Sequence, residues 1–176
     1  MPNKKRANRW PKNILEDILV YQDVSIDQLP GDVNQGIDYL LSRIHPNQRQ
    51  VLLWFYKNGY MLKEMTKLEG NFTYDYICSC KEYGIKNMIR LSYVLIIGYD
   101  RFVEGYNIEK WPISLLVENL YPISYNALER VGICTVGDVL KYSKAQLMRF
   151  NRVDEITVRK IEAGLKDYGL SIKIKE

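Results

Sequence analysis

The chain has 176 residues, 47% hydrophobic and 26% charged, with a formal net charge of +4, a balance that suits one globular domain or two small ones. Its apolar runs stay far short of the ~18 residues a membrane span needs, and the basic N-terminus lacks the apolar region of a secretory signal. A single histidine and three cysteines without a Cys-x-x-Cys pair leave little material for zinc sites, histidine catalysis or a disulfide framework, and they fit a reducing cytoplasm.

Residues 1–12 carry Lys4, Lys5, Arg6, Arg9 and Lys12 without an acid, broken by Pro2 and Pro11. That composition reads as a disordered basic arm, either contacting phosphates through Lys4, Lys5, Arg6 and Arg9 or merely solubilising the terminus. Residues 13–33 reverse the charge, with five acids and no base. Ile14, Leu15, Ile18, Leu19 and Val20 predict a short amphipathic helix there, and Leu29-Pro30-Gly31 closes the segment as a turn.

A first helical domain is predicted over 34–97. Ile37, Leu40, Leu41 and Ile44 share one helical face, His45-Pro46 makes a structural turn, and Asn47–Tyr56 forms a second helix with Val51, Leu52 and Phe55 inward. Leu62–Leu68 is a third, short helix. Thr73 is then a good N-cap for a long one, whose Ile77, Cys80, Gly84, Met88, Leu91 and Leu95 make one apolar stripe. Leu40-Leu41-Ser-Arg-Ile44, Pro-x-Gln-Arg-x-Val-Leu at 46–52, Gly59-Tyr-Met-Leu-Lys-Glu-Met65 and Thr73-x-x-x-Ile77 together resemble the promoter-reading helix-turn-helix of bacterial sigma factors, region four. The resemblance covers residues 34–95 and implies DNA contacts from the start of the long helix, here Thr73, Tyr74 and Tyr76, with Lys81 farther along. It departs from the family at that start, which has no arginine for guanine or phosphate contacts. The tyrosines (Tyr56, Tyr60, Tyr74, Tyr76, Tyr83, Tyr93, Tyr99) read mainly as core-edge residues, with a base-stacking platform as the rarer alternative.

Residues 98–112, with Gly98, Gly105, Asn107 and Pro112 and no consistent helical period, are expected to be a linker; Tyr99, Phe102, Tyr106 and Trp111 are apolar for a free tether, and the alternative is that they cement the two domains together. The second domain, 113–176, has capping boxes at Thr135-Val-Gly-Asp138 and Ser143-Lys-Ala-Gln146. Asp154 is placed to cap a final helix striped by Val158, Ile161, Leu165 and Tyr168 and stopped at Gly169. Leu128–Leu140 has the outline of a helix-hairpin-helix turning at Gly132, a device that presents backbone N–H groups and a helix N-terminus to a phosphate.

Ser124-Tyr-Asn-Ala-Leu128, Arg130-x-Gly-Ile-x-Thr-Val-Gly-Asp138, Leu147-Met148, Thr157-Val158, Ile161 and Tyr168-Gly-Leu-Ser171 resemble the C-terminal domain of the bacterial RNA polymerase alpha subunit. This second resemblance covers 113–172 and implies minor-groove binding and docking of transcription proteins. It carries DNA contact over to Asn126 and to Thr157, which replaces a serine. Ile123, Asp154 and Ile156 stand where the family has an arginine, a glycine and a lysine; Arg130, Arg152 and Arg159 are the nearby cations able to compensate. With no nucleophile–base pair, metal cluster or phosphate loop, the sequence points to an all-α protein of two small domains, without catalysis or cofactor. Its expected work is DNA-associated transcription control. The alternative is an adaptor that docks on RNA polymerase or another protein and touches DNA little.

Overall fold

The computed structural model describes residues 9–68, 71–117 and 122–173. Among them every regular element is helical, as the all-α expectation requires, and β pairing is limited to two isolated bridges, Pro112 with Thr135 and Ser143 with Lys173. The chain divides into two compact units between Phe102 and Val103.

Unit 1 contains α1 (Lys12–Ile18), α2 (Val33–Ser42), α3 (Pro46–Leu52), α4 (Leu62–Met65), α5 (Tyr74–Leu91), α6 (Tyr93–Ile97) and all but the last residue of α7 (Tyr99–Val103). Its frame is the α3–α5 pair, the most extensive helix contact of the molecule. The stripe on α5 explains that contact: Ile77, Cys80, Gly84, Met88 and Leu91 are all buried at three- or four-residue spacing. Gly84 sits at the close approach, where a Cβ would stand 3.0 Å from Leu52 Cδ1 and 3.3 Å from Gln48 Cβ. Thr73 starts the helix by accepting the Tyr76 amide at 3.3 Å, a cap worth about 1 kcal/mol. His45 has the corresponding role in α3, its Nδ1 accepting from the Asn47 amide at 3.2 Å. The second helix is not the single α-helix the spacing predicts. After Leu52 it widens into a π-helical turn, Leu53–Lys57.

Around the turn, Val51, Met65, Ile77 and Cys80 form one buried cluster, ringed by Trp54, Phe55, Tyr60, Leu62, Leu68 and Phe72. This cluster packs α4 against α5. The acidic segment belongs to the same unit. Ile14, Leu15 and Ile18 are buried, α1 packs on α5, and the Tyr56 hydroxyl donates to Asp17. Val20 falls outside the helix, which ends at Ile18, and is exposed.

Unit 2 holds α8 (Ile113–Leu116), α9 (Pro122–Arg130), α10 (Val136–Val139), α11 (Lys144–Leu147) and α12 (Glu155–Lys166). Both expected capping boxes are formed, and the Asp154 carboxylate accepts from the Thr157 amide at 2.7 Å. Leu128, Ile133, Val136, Val139, Leu147, Val158, Ile161 and Leu165 are buried. At Gly164 a Cβ would come within 2.4 Å of the Leu116 carbonyl oxygen, so α12 presses directly on the backbone of α8. Tyr168 lies beyond the end of α12 rather than on its stripe, and its ring meets Trp111 edge-on at 5.2 Å.

The expected linker at 98–112 is folded chain. Tyr99 and Phe102 meet the Tyr39 ring at 5.8 and 5.0 Å. Trp111 is 0% exposed, and its Nε1 donates to the Tyr106 carbonyl at 2.9 Å. The physical reason is aromatic area: rings that bury 150–250 Å² each, as a rule of order, hold a stretch in place without any helical period.

Candidate nucleic-acid interface

The first turns of α5 present Thr73, Tyr74, Asp75, Tyr76 and Ser79 to solvent, while Ile77 and Cys80 fix the opposite face. Thr73 is occupied as the cap. Tyr76 accepts a hydrogen bond from Asn47 Nδ2 at 2.8 Å, and its ring lies 5.2 Å from Phe72, which lies 6.2 Å from Trp54. A hydrogen bond with Cys78 raises the Tyr74 phenol above its ordinary value. Lys81 does not reach this surface as a clear phosphate ligand. It is half-buried, with Nζ 4.5 Å from the Phe55 ring and 5.7 Å from Tyr56. Lys86 pairs with Glu82 at 2.6 Å.

In unit 2, Asn126 and Arg130 are exposed and four residues apart on α9, hence on one helical face. The hairpin that follows has the expected shape, with Gly132 at φ +79°, a left-handed position that glycine adopts at no steric cost. Its amides, however, are taken. Those of Val131 and Ile133 donate to the Leu128 carbonyl, Gly132 to Glu129, Cys134 and Thr135 to the Asp138 carboxylate at 3.3 and 3.0 Å, and Val136 to Trp111. The Lys141 ammonium at 2.8 Å, then the Thr135 hydroxyl and amide, hold Asp138 well below the usual carboxylate range. The chain's own anion therefore occupies the place where Gly132 and its neighbours were expected to receive a phosphate.

Thr157 corrects the sequence expectation more sharply. It is 1% exposed, and its Oγ1 donates to Ser124 Oγ at 3.0 Å. The hydroxyl braces the start of α9 against the first turn of α12 instead of facing DNA. That brace ties the turn before α12, residues 151–154, to the helix bearing Asn126 and Arg130. Arg152 is exposed there in the left-handed region at φ +66°, and Arg130 and Arg152 have no carboxylate partner among the described residues. Arg159 is paired with Glu155 at 2.9 Å. Hydrogen bonding from Thr157 keeps Asp154 below its ordinary value, so a negative charge stands at the start of α12.

Ile123 and Ile156, 49% and 57% exposed, each adjoin one partner of the Ser124–Thr157 bond. Sequence reasoning saw them only as missing cations, not as exposed apolar surface. Asn47 and Trp54 also escaped it, because Asn47 meets Tyr76 across 29 residues and Trp54 meets Phe72 from another element, neither with a local signal; Phe72 lies only one helical turn from Tyr76. Of the basic arm, Arg9 is seen in an ion pair with Glu16 at 2.6 Å, and Lys4, Lys5 and Arg6 lie outside the described residues. No His, Cys, Asp or Glu group among the described residues is arranged to hold a metal, and no helix there is long and apolar enough to cross a membrane. No protein-family model and no curated protein matches the chain.

Proposed function

We propose that the protein is a non-catalytic, DNA-associating transcription accessory that joins a sigma-like helix-turn-helix to an alpha-C-terminal-domain-like module. The observation that carries this reading is α5. An 18-residue helix is clamped along one face while the opposite face of its first turns offers hydroxyl and phenol groups to solvent, the presentation a DNA-contacting helix needs. Asn126, Arg130 and Arg152 supply a second set of contacts in unit 2. Two weak contacts on one chain gain from effective concentration, so neither must be strong alone. RNA polymerase or another transcription protein is the protein partner that the two resemblances imply, and the cytoplasm is the matching compartment.

The test is binding of the full chain to random-sequence duplex DNA across a salt series, repeated with residues 1–12 deleted. A steep salt dependence that survives the deletion is expected, because phosphate contacts within the folded units release counterions. Binding that vanishes with the arm would sink this reading.

A second reading, the polymerase-docking adaptor, draws support from one surface. Ile123 and Ile156 are exposed where the resembled family carries cations, and the ionised Asp154 beside them repels phosphate. It expects retention of the full chain on immobilised RNA polymerase with no measurable duplex binding.

A further inference from the structure

The aromatic residues at the start of α5 are arranged as more than a core edge. Trp54, Phe72 and Tyr76 form a continuous run of three rings, with 6.2 and 5.2 Å between successive centroids. The inner two are anchored at the buried Val51–Met65–Ile77–Cys80 cluster. The run comes to the surface at Tyr76, 41% exposed; Tyr74, 45% exposed, is a separate ring two residues earlier, on a different face of the first turn. Asn47 Nδ2 fixes the phenol of Tyr76, which leaves the Asn47 carbonyl oxygen and second N–H for another partner.

Reading guanine in a duplex favours Arg or Lys against base edges, and residues 73–79 contain neither. A ring surface cannot use a duplex well, since paired bases keep their faces stacked on one another. Unpaired bases expose those faces, and each base–aromatic stack contributes about 1–3 kcal/mol without needing a charge. Asp75, exposed in the same turn, is acidic, so the charge for the backbone has to come from another element. Lys63 and Lys67, on the stretch that leads into Phe72, are exposed and have no carboxylate partner among the described residues.

We propose that this end of α5 binds single-stranded DNA, with unpaired bases stacking on Tyr76 and Tyr74 and Asn47 addressing a base edge. The inference rests on the DNA-associating reading above and narrows its ligand. It assigns the helix-turn-helix unit to opened or single-stranded regions rather than to an intact duplex.

The experiment measures binding of the full chain to a short labelled oligothymidine and to a random-sequence duplex of equal length, at one low salt concentration, by anisotropy and tryptophan emission. The oligothymidine is expected to bind severalfold tighter and to quench tryptophan emission. Tyr76→Ala should weaken it roughly tenfold or more, Tyr74→Ala severalfold, and Tyr76→Phe, which keeps the ring, very little. Circular dichroism of each variant checks that the helices persist, and Tyr74→Ala carries the test if Tyr76→Ala does not fold. Equal affinity for both DNAs, or oligothymidine binding indifferent to both alanine variants, overturns the inference and leaves the DNA-associating reading standing. Failure to bind either DNA overturns both.

Discussion

Thr157 shows how one hydroxyl can carry two opposite readings. Its position in the sequence suggests a DNA contact; its burial and its 3.0 Å bond to Ser124 make it a brace. Thr157→Val keeps the shape but leaves the buried Ser124 hydroxyl without this partner, so unit 2 should lose about 1–2 kcal/mol. Urea denaturation measures that loss, while duplex affinity below the transition should stay unchanged. A variant with wild-type stability and weakened DNA binding would restore the contact role. Asp138 gives a pH signature. Its folded value lies below the ordinary 3.8, first through Lys141 and then through Thr135, so its stabilisation is fully present above that pH and is lost as the pH falls toward the folded value. Acid unfolding of Asp138→Asn should therefore show a shallower fall in stability below about pH 4 than the wild-type chain. The Thr157 brace was not legible from residue type, because its partner lies 33 residues away, whereas the Thr135–Asp138 pair is a capping box that its three-residue spacing announces.

Among the elements, legibility followed periodicity. The stripe of α5 is readable because Ile77, Cys80, Gly84, Met88 and Leu91 repeat at helical spacing, and all five are buried. The capping boxes at Thr135 and Ser143 are readable because their partners lie three residues away. In the 98–112 segment the aromatic residues give a signal against a free tether, but Phe102 and Trp111 bury and Tyr99 half-buries without a repeat, each held by contacts distant in sequence. The π-helical turn at Leu53–Lys57 left no pattern either. Close helix approach is a further feature that spacing does not reveal. Gly164 has a buried position on α12, and a methyl group there would meet the Leu116 carbonyl oxygen at 2.4 Å. Helix propensity alone favours alanine at such a site, but a backbone oxygen cannot rotate away as a side chain can. Gly164→Ala should thus destabilise unit 2 by about 1–3 kcal/mol, read as a lower thermal midpoint. A raised midpoint would mean that α12 and α8 are not in close contact in solution.

For the whole molecule, the question is whether both units engage DNA at once. The two candidate surfaces differ in chemistry: aromatic and without a cation at the start of α5, where Asp75 is the one charge of the first turn, and cationic at Arg130 and Arg152. Salt separates them. Replacing Arg130 or Arg152 by alanine should reduce the slope of log affinity against log salt by about one each, whereas Tyr76→Ala should lower affinity with the slope nearly unchanged, because a stacked base releases no counterion. In a chain that binds through both units, losing either surface also removes the benefit of effective concentration. Each class of variant should then approach the affinity of the remaining unit alone, and the combined variant should fall to the arm's nonspecific level. Strict additivity of the separate losses, with residual binding in the combined variant, would instead describe contacts that do not depend on one another. The salt slope thus assigns the charged contacts, and the departure from additivity measures the coupling that a two-unit binder requires.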